Sequence, residues 1–157
     1  MSGVALRLVR LDAGAPPGDV EEALAVERRY TAKEARGEYI ARGLLFDFDE
    51  QWVGPHAALT GGSNDSASPG YQPVLGGSFV GRTATEVVVL LAADRVAAAA
   101  EYLGGLDILA VVAGNLDAAE AVAYVVPGEI EDSLEQLRTF YLGAADAGDA
   151  VLKVALS

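Results

Sequence analysis

From Val4 to Leu11 apolar positions alternate along the chain, with Val4, Leu6 and Leu8 set against Ala5, Arg7 and Val9. A period of two predicts a strand with one buried face. Asp12 to Gly18 holds two glycines and two prolines and reads as a loop. Asp19 is placed to cap a helix, with Glu22 three residues on as in a capping box and with Val20 and Leu24 on the apolar side. The stretch from Ala32 to Gly43 is read as helical. Gly61 to Gly70 is a loop, and Tyr71 to Phe79 is irregular to extended, broken by Pro73 and Gly76-Gly77. Thr85 to Leu91 is a continuous β-branched and leucine run, the pattern of a buried strand. Asp94 is placed to cap a helix that puts Val96, Ala99, Ala100, Leu103 and Leu106 on one face and weakens at Gly104-Gly105. Leu109 to Leu116 is short and apolar, and periodicity fits a helical turn and a strand equally. Ala121 to Val126 predicts a strand stopped by Pro127-Gly128. The final helix is the clearest, with Ile130, Leu134, Leu137, Tyr141 and Ala145 at helical spacing. Its first turn carries Glu129, Glu131 and Asp132, and Gly148 closes it. Val151 to Leu156 is a last strand. The elements predict an α+β fold: a small mixed sheet of about four to five strands packed with helices, then a long amphipathic C-terminal helix and a terminal strand. No repeat and no linker interrupts residues 1–157, which are read as a single domain.

Composition narrows the setting. Of 157 residues, 52% are hydrophobic, enough to build a core. There is no cysteine, so no disulfide staples the fold, which fits a reducing compartment. Arg7 and Arg10 interrupt the N-terminal apolar pattern, and no signal-peptide core is read there. No apolar run approaches the roughly 18 to 20 residues of a membrane span. The expectation is a cytoplasmic protein without a membrane partner. Eleven basic against 23 acidic residues give a net charge of −12, which repels phosphate backbones and makes nucleic acid an unexpected partner. The one basic cluster, Arg28, Arg29, Lys33 and Arg36, alternates with Glu27 and Glu34 and reads as a solvated helix face.

Candidate chemistry concentrates in Phe46 to Gly62, FDFDEQWVGPHAALTGG. Asp49 is placed to cap a helix starting at Glu50. On that helix Trp52, His56 and Thr60 fall at i, i+4 and i+8, so an indole, the single imidazole of the chain and a hydroxyl share a face. Pro55 either kinks this helix or starts a new one as its first residue, and the second option breaks the alignment of Trp52 with His56. The segment resembles the YfbM-like family of unknown function, whose pattern is Asp-aliphatic-Asp-Lys-x-Trp-x-x-Leu-His-x-x-Leu-Thr-Gly. It matches at Asp47, Asp49, Trp52, His56, Leu59, Thr60 and Gly61. It departs at Glu50, where the family has lysine, and at Pro55, where it has leucine. Pro73 to Gly77 and the C-terminal helix with its strand are also similar to the family. The resemblance implies the fold and brings no activity with it.

Asp47, Asp49, Trp52, His56, Thr60 and Gly61 therefore form the candidate pocket. In a catalytic reading His56 is a general base oriented by Asp47 or Asp49, with Trp52 as an apolar wall and Thr60-Gly61-Gly62 as donors. In a packing reading Trp52 and His56 fill the edge of the core and Thr60-Gly61-Gly62 stops a helix. The packing reading is preferred, and no catalytic residue is assigned. Gly76 to Thr83 has the glycine spacing of a phosphate loop, but Arg82 replaces its lysine and a strand-like run follows instead of a helix, so these glycines are read as turns. One histidine and no cysteine point to no metal and no cofactor. The favoured function is a non-catalytic acidic protein that docks on a basic partner. The alternatives are a small-ligand binder or enzyme centred on Trp52 and His56, and a homodimer subunit.

Overall fold

The terminal run Ala150 to Val154 is buried at five consecutive positions, so it can only be a strand covered on both faces. The computed structural model describes residues 3–157 and places this strand in the middle of a sheet. The strands are β1 (Ala5–Leu11), β2 (Leu45–Asp49), β3 (Ser78–Arg82), β4 (Glu86–Leu91) and β5 (Ala150–Leu156), in the order β2-β1-β5-β4-β3. Between β1 and β2 lie α1 (Val20–Thr31) and α2 (Arg36–Ala41). Between β2 and β3 lie α3 (Val53–Thr60) and α4 (Gln72–Leu75). The β4–β5 connection holds α5 (Ala93–Gly104), α6 (Ile108–Gly114), α7 (Leu116–Glu120) and α8 (Glu129–Asp146).

The α+β class, a sheet of five strands and the long C-terminal helix before a last strand are all present. Every pairing is antiparallel, whereas mixed strand directions were expected. The β1–β5 register runs from Ala5 opposite Leu156 to Leu11 opposite Ala150. Alternation then divides the core in two. Val9, Leu11, Val88, Leu152 and Val154 meet Ala23 and Leu24 of α1 on one face. Leu6, Leu8, Leu91 and Val151 meet α3, α5 and α8 on the other, through Ala58, Leu103, Leu134 and Leu137. Asp19 caps α1 as expected, accepting from the Glu22 amide at 2.9 Å.

Several elements differ from expectation. Ala121 to Val126 is an irregular stretch rather than a strand: it joins α7 to α8 and pairs with no strand of the sheet. Val122, Tyr124 and Val126 are left exposed, while Val125 packs against the core. Leu109 to Leu116 is helical, and α6 is capped by Asp107 accepting from the Ala110 amide at 3.1 Å. Tyr71 to Phe79 contains the short helix α4 and the start of β3. Gly81, read as a turn residue, lies inside β3, where a Cβ would approach the Val20 Cβ to 2.7 Å, so its lack of a side chain lets α1 close on the sheet. Asp94 does not cap α5; the capping position is Ala92 and no side chain caps it. No single described helix is long and apolar enough to cross a membrane.

The short helix α4 is pinned from the core side. The Tyr141 hydroxyl donates to the Pro73 carbonyl at 2.6 Å, and Lys153 Nζ donates to the Gln72 carbonyl at 2.5 Å. Tyr141 is fully buried, so deleting its hydroxyl removes a partner that water cannot replace. Tyr141→Phe should destabilise the protein by about 1–3 kcal/mol. Urea unfolding measures this, and an unchanged midpoint would show that the bond does not anchor α4.

Candidate functional site

The chain leaves β2 through a tight turn. Asp49 takes a left-handed conformation at φ 52°, and its amide donates to the Asp47 carboxylate at 2.7 Å. Asp49 is therefore a turn residue, not the cap of α3, whose capping position is Trp52. Pro55 is the third residue of α3, where a backbone N–H has no intrahelical acceptor, so its missing donor costs nothing. The first helical bond runs from the His56 amide to the Trp52 carbonyl at 3.0 Å. Neither a kink nor a restart at Pro55 is required, and the alignment of Trp52 with His56 survives.

The two rings lie 6.4 Å apart, centroid to centroid. Trp52 Nε1 donates to the Val4 carbonyl at 2.7 Å, tying α3 to the start of β1. The His56 ring meets Tyr71 edge-on at 5.0 Å. Burial and the nearby charge of Lys153 lower its pKa to about 4, so the imidazole is neutral at neutral pH. Its Nδ1 is sealed and has no hydrogen-bond partner.

No carboxylate orients His56. Asp47 is committed to Arg36 at 2.5 Å and Arg7 at 3.4 Å, and Arg7 also holds the buried Glu27 at 2.7 Å. Thr60 is committed as well: its hydroxyl donates to the His56 carbonyl at 3.0 Å and accepts from the Gly62 amide at 3.2 Å. Gly61, at φ 64°, turns the chain out of α3 in the left-handed conformation that favours glycine. The six candidate residues thus separate. Trp52, His56, Thr60 and Gly61 share α3 and its stop, while Asp47 and Asp49 belong to β2 and the turn after it.

A cleft of about 720 Å³ opens beside this segment, between the start of α3, the irregular stretch before α8 and the first turn of α8. Val53, Pro55, Val122 and Ile130 give it an apolar floor. Glu50, Glu129 and Asp132 stand around it, and no basic residue lines it. Tyr124 is 92% exposed on its wall. Gly54 lets the two helices close, since a Cβ there would meet Ile130 Cδ1 at 3.2 Å. Trp52 and His56 do not line the cleft, but Glu50 and Pro55, the two departures from the family pattern, both do. Sequence reading missed Tyr124 and Val122 because their alternation suggested a strand. Among the described residues no group of three or more histidine or acidic side chains could hold a metal ion.

Residues 15–154 match the sequence profile of a domain of unknown function, DUF1877. No curated protein sequence matches the chain. Among solved structures it is similar to a protein of unknown function, YfbM, from Escherichia coli, at 18% identity with a TM-score of 0.59. That likeness covers 97% of this chain and 99% of that one, and at this identity it concerns the fold alone.

The lowered pKa of His56 has a stability consequence with a definite sign. Between its ordinary value of 6.5 and about 4, the unfolded chain binds a proton that the folded chain does not. Stability should therefore fall as pH drops through this window. His56→Gln removes that contribution, so its thermal midpoint should decline less than that of the wild type between neutral pH and about pH 4. Parallel curves for the two proteins would show that His56 is not held neutral by the fold.

Proposed function

The chain belongs to the DUF1877 family, and on that premise we propose that it is a non-catalytic interaction protein whose cleft between α3 and α8 receives a cationic segment of a partner protein. The observation that carries this reading is Tyr124, 92% exposed on the wall of a cleft edged by Glu50, Glu129 and Asp132. An aromatic face beside carboxylates is a cation site by chemistry, because ring quadrupole and charge both attract an ammonium or guanidinium group. Glu129 and Asp132 also complement the positive end of α8. Glu50 belongs to the turn before α3. The apolar floor would take the alkyl stem of a lysine or arginine.

Isothermal titration with a short lysine-rich amphipathic peptide tests this reading. Binding should weaken several-fold as ionic strength is raised to about 0.5 M, because exposed charges are screened over a few ångströms there. Tyr124→Ala and Glu50→Lys should each weaken it by about threefold to tenfold. Equal affinity of the wild type and both variants would remove the cleft as the binding surface.

A further inference from the structure

A second cleft, of about 690 Å³, lies between the loop preceding α4, α4 itself and α5. Its walls are mostly apolar, from Ala67, Pro69, Ala98, Ala99 and the Tyr102 ring, and Arg95 is its basic group. Arg95 donates to the side-chain oxygen of Gln72, a neutral amide. No carboxylate among the described residues lies within ion-pair distance of it. Its remaining N–H groups have no protein acceptor and are not among the sealed atoms, so they are open to solvent.

Three features make this guanidinium unusual. Arg29, Lys33 and Arg82 also have no carboxylate partner, but they are exposed, whereas Arg95 is half-buried on a cleft wall. It occupies the first turn of the twelve-residue helix α5, where the helix dipole disfavours a positive charge. Directly behind Gln72 stands Lys153, 1% exposed, whose amine also has no carboxylate and donates only to the Gln72 carbonyl. Burial and the charge of Arg95 both push the Lys153 amine well below its ordinary pKa. The Arg95 guanidinium and the Lys153 amine thus converge on one glutamine with no carboxylate between them.

Gln72 also fixes the geometry. Its amide nitrogen donates to the Ser66 carbonyl at 2.6 Å and the Ser68 carbonyl at 3.3 Å, so the same side chain holds the loop wall of the cleft and the arginine. The facing acids are Asp94, exposed beside Arg95, and Glu101, on the cleft wall six residues along α5. Six residues of helix rise about 9 Å, so Glu101 stands toward the other end of the cleft and opposes a second negative charge there.

We propose that this cleft binds a small monocarboxylate with an apolar body, its carboxylate on the Arg95 guanidinium and its body against Ala98, Ala99, Pro69 and Tyr102. A guanidinium matches a carboxylate with two parallel hydrogen bonds, and the volume suits a small molecule. A bound anion would also offset the field of Arg95 on the Lys153 amine.

Titration of the labelled full-length protein with hexanoate, followed by amide NMR and calorimetry, tests the site. Hexanoate should shift the amides of Ala98, Ala99 and Tyr102, while hexylammonium at equal concentration leaves them unmoved. Glutarate should bind more weakly than hexanoate because of Glu101. Arg95→Gln should weaken hexanoate binding by about tenfold or more, and Arg95→Lys by less, since it keeps the charge and loses the fork. Ala98→Phe keeps the arginine in the sequence but fills the cleft, and should also abolish the shifts. Equal binding of hexanoate and hexylammonium would overturn the proposal, as would undiminished hexanoate binding in Arg95→Gln or Ala98→Phe. Tighter binding of N-acetyl-trialanine than of hexanoate would reassign the cleft to a peptide terminus and overturn it too. The comparison of ligands on the wild type decides the matter even if a variant fails to fold.

Discussion

The fold depends on where its last strand goes. β5 is made by residues 150–156 and lies at the centre of the sheet, with β1 from the start of the chain on one side and β4 on the other. No more than a β1–β2 pair and a β3–β4 pair can form before it arrives. The contacts that join the halves are therefore long in sequence, and their loop-closure cost falls due before burial repays it. Both core clusters also wait on β5, because Val151 serves one face and Leu152 and Val154 the other.

A strand buried on both faces is exposed to register error, since a slip of one residue exchanges the faces. Lys153 resists that error. In the observed register its amine reaches the Gln72 carbonyl. Shifted by one, it would enter the face lined by Val9, Leu24 and Val88, where the buried Glu27 carboxylate is already held by Arg7. The buried lysine that weakens the strand energetically thus specifies its pairing. The same bond docks α4, Gln72 of α4 holds Arg95 and the loop before it, and the position of one cleft is coupled to the register of the central strand.

Local signals in the sequence were strong where one element answers to one rule. The period of Ile130, Leu134, Leu137 and Tyr141 fixes α8, and the Asp19–Glu22 box fixes the start of α1. The Trp52–His56 alignment was legible, and so was the stop at Gly61. What failed required knowledge of partners. Ala121 to Val126 has strand composition, but a strand needs a partner, and this stretch spans the connection from α7 to α8 away from any strand pairing. Asp47 looked like a partner for His56 from its spacing, yet Arg7 sits opposite it in the β1–β2 register and claims it. Nothing local in the last strand announces that Lys153 will meet an acceptor 81 residues away. Arg95 is equally silent, since its significance lies in the carboxylates that are not near it.

Net charge is the coarsest of these signals, and it misleads about binding. A value of −12 describes the field at a distance, which salt screens within about 8 Å under physiological conditions. Inside a cleft the neighbouring side chains decide. Around Tyr124 the local count agrees with the far field, and both have the sign that favours a cation. At Arg95 the two disagree, and an anion must approach against the field of the whole molecule before it meets a favourable charge. The opposing work grows with every charge the ligand carries, while a single guanidinium satisfies only one carboxylate. Far field and local geometry together therefore select for the smallest negative charge, and the apolar walls supply what the electrostatics withhold.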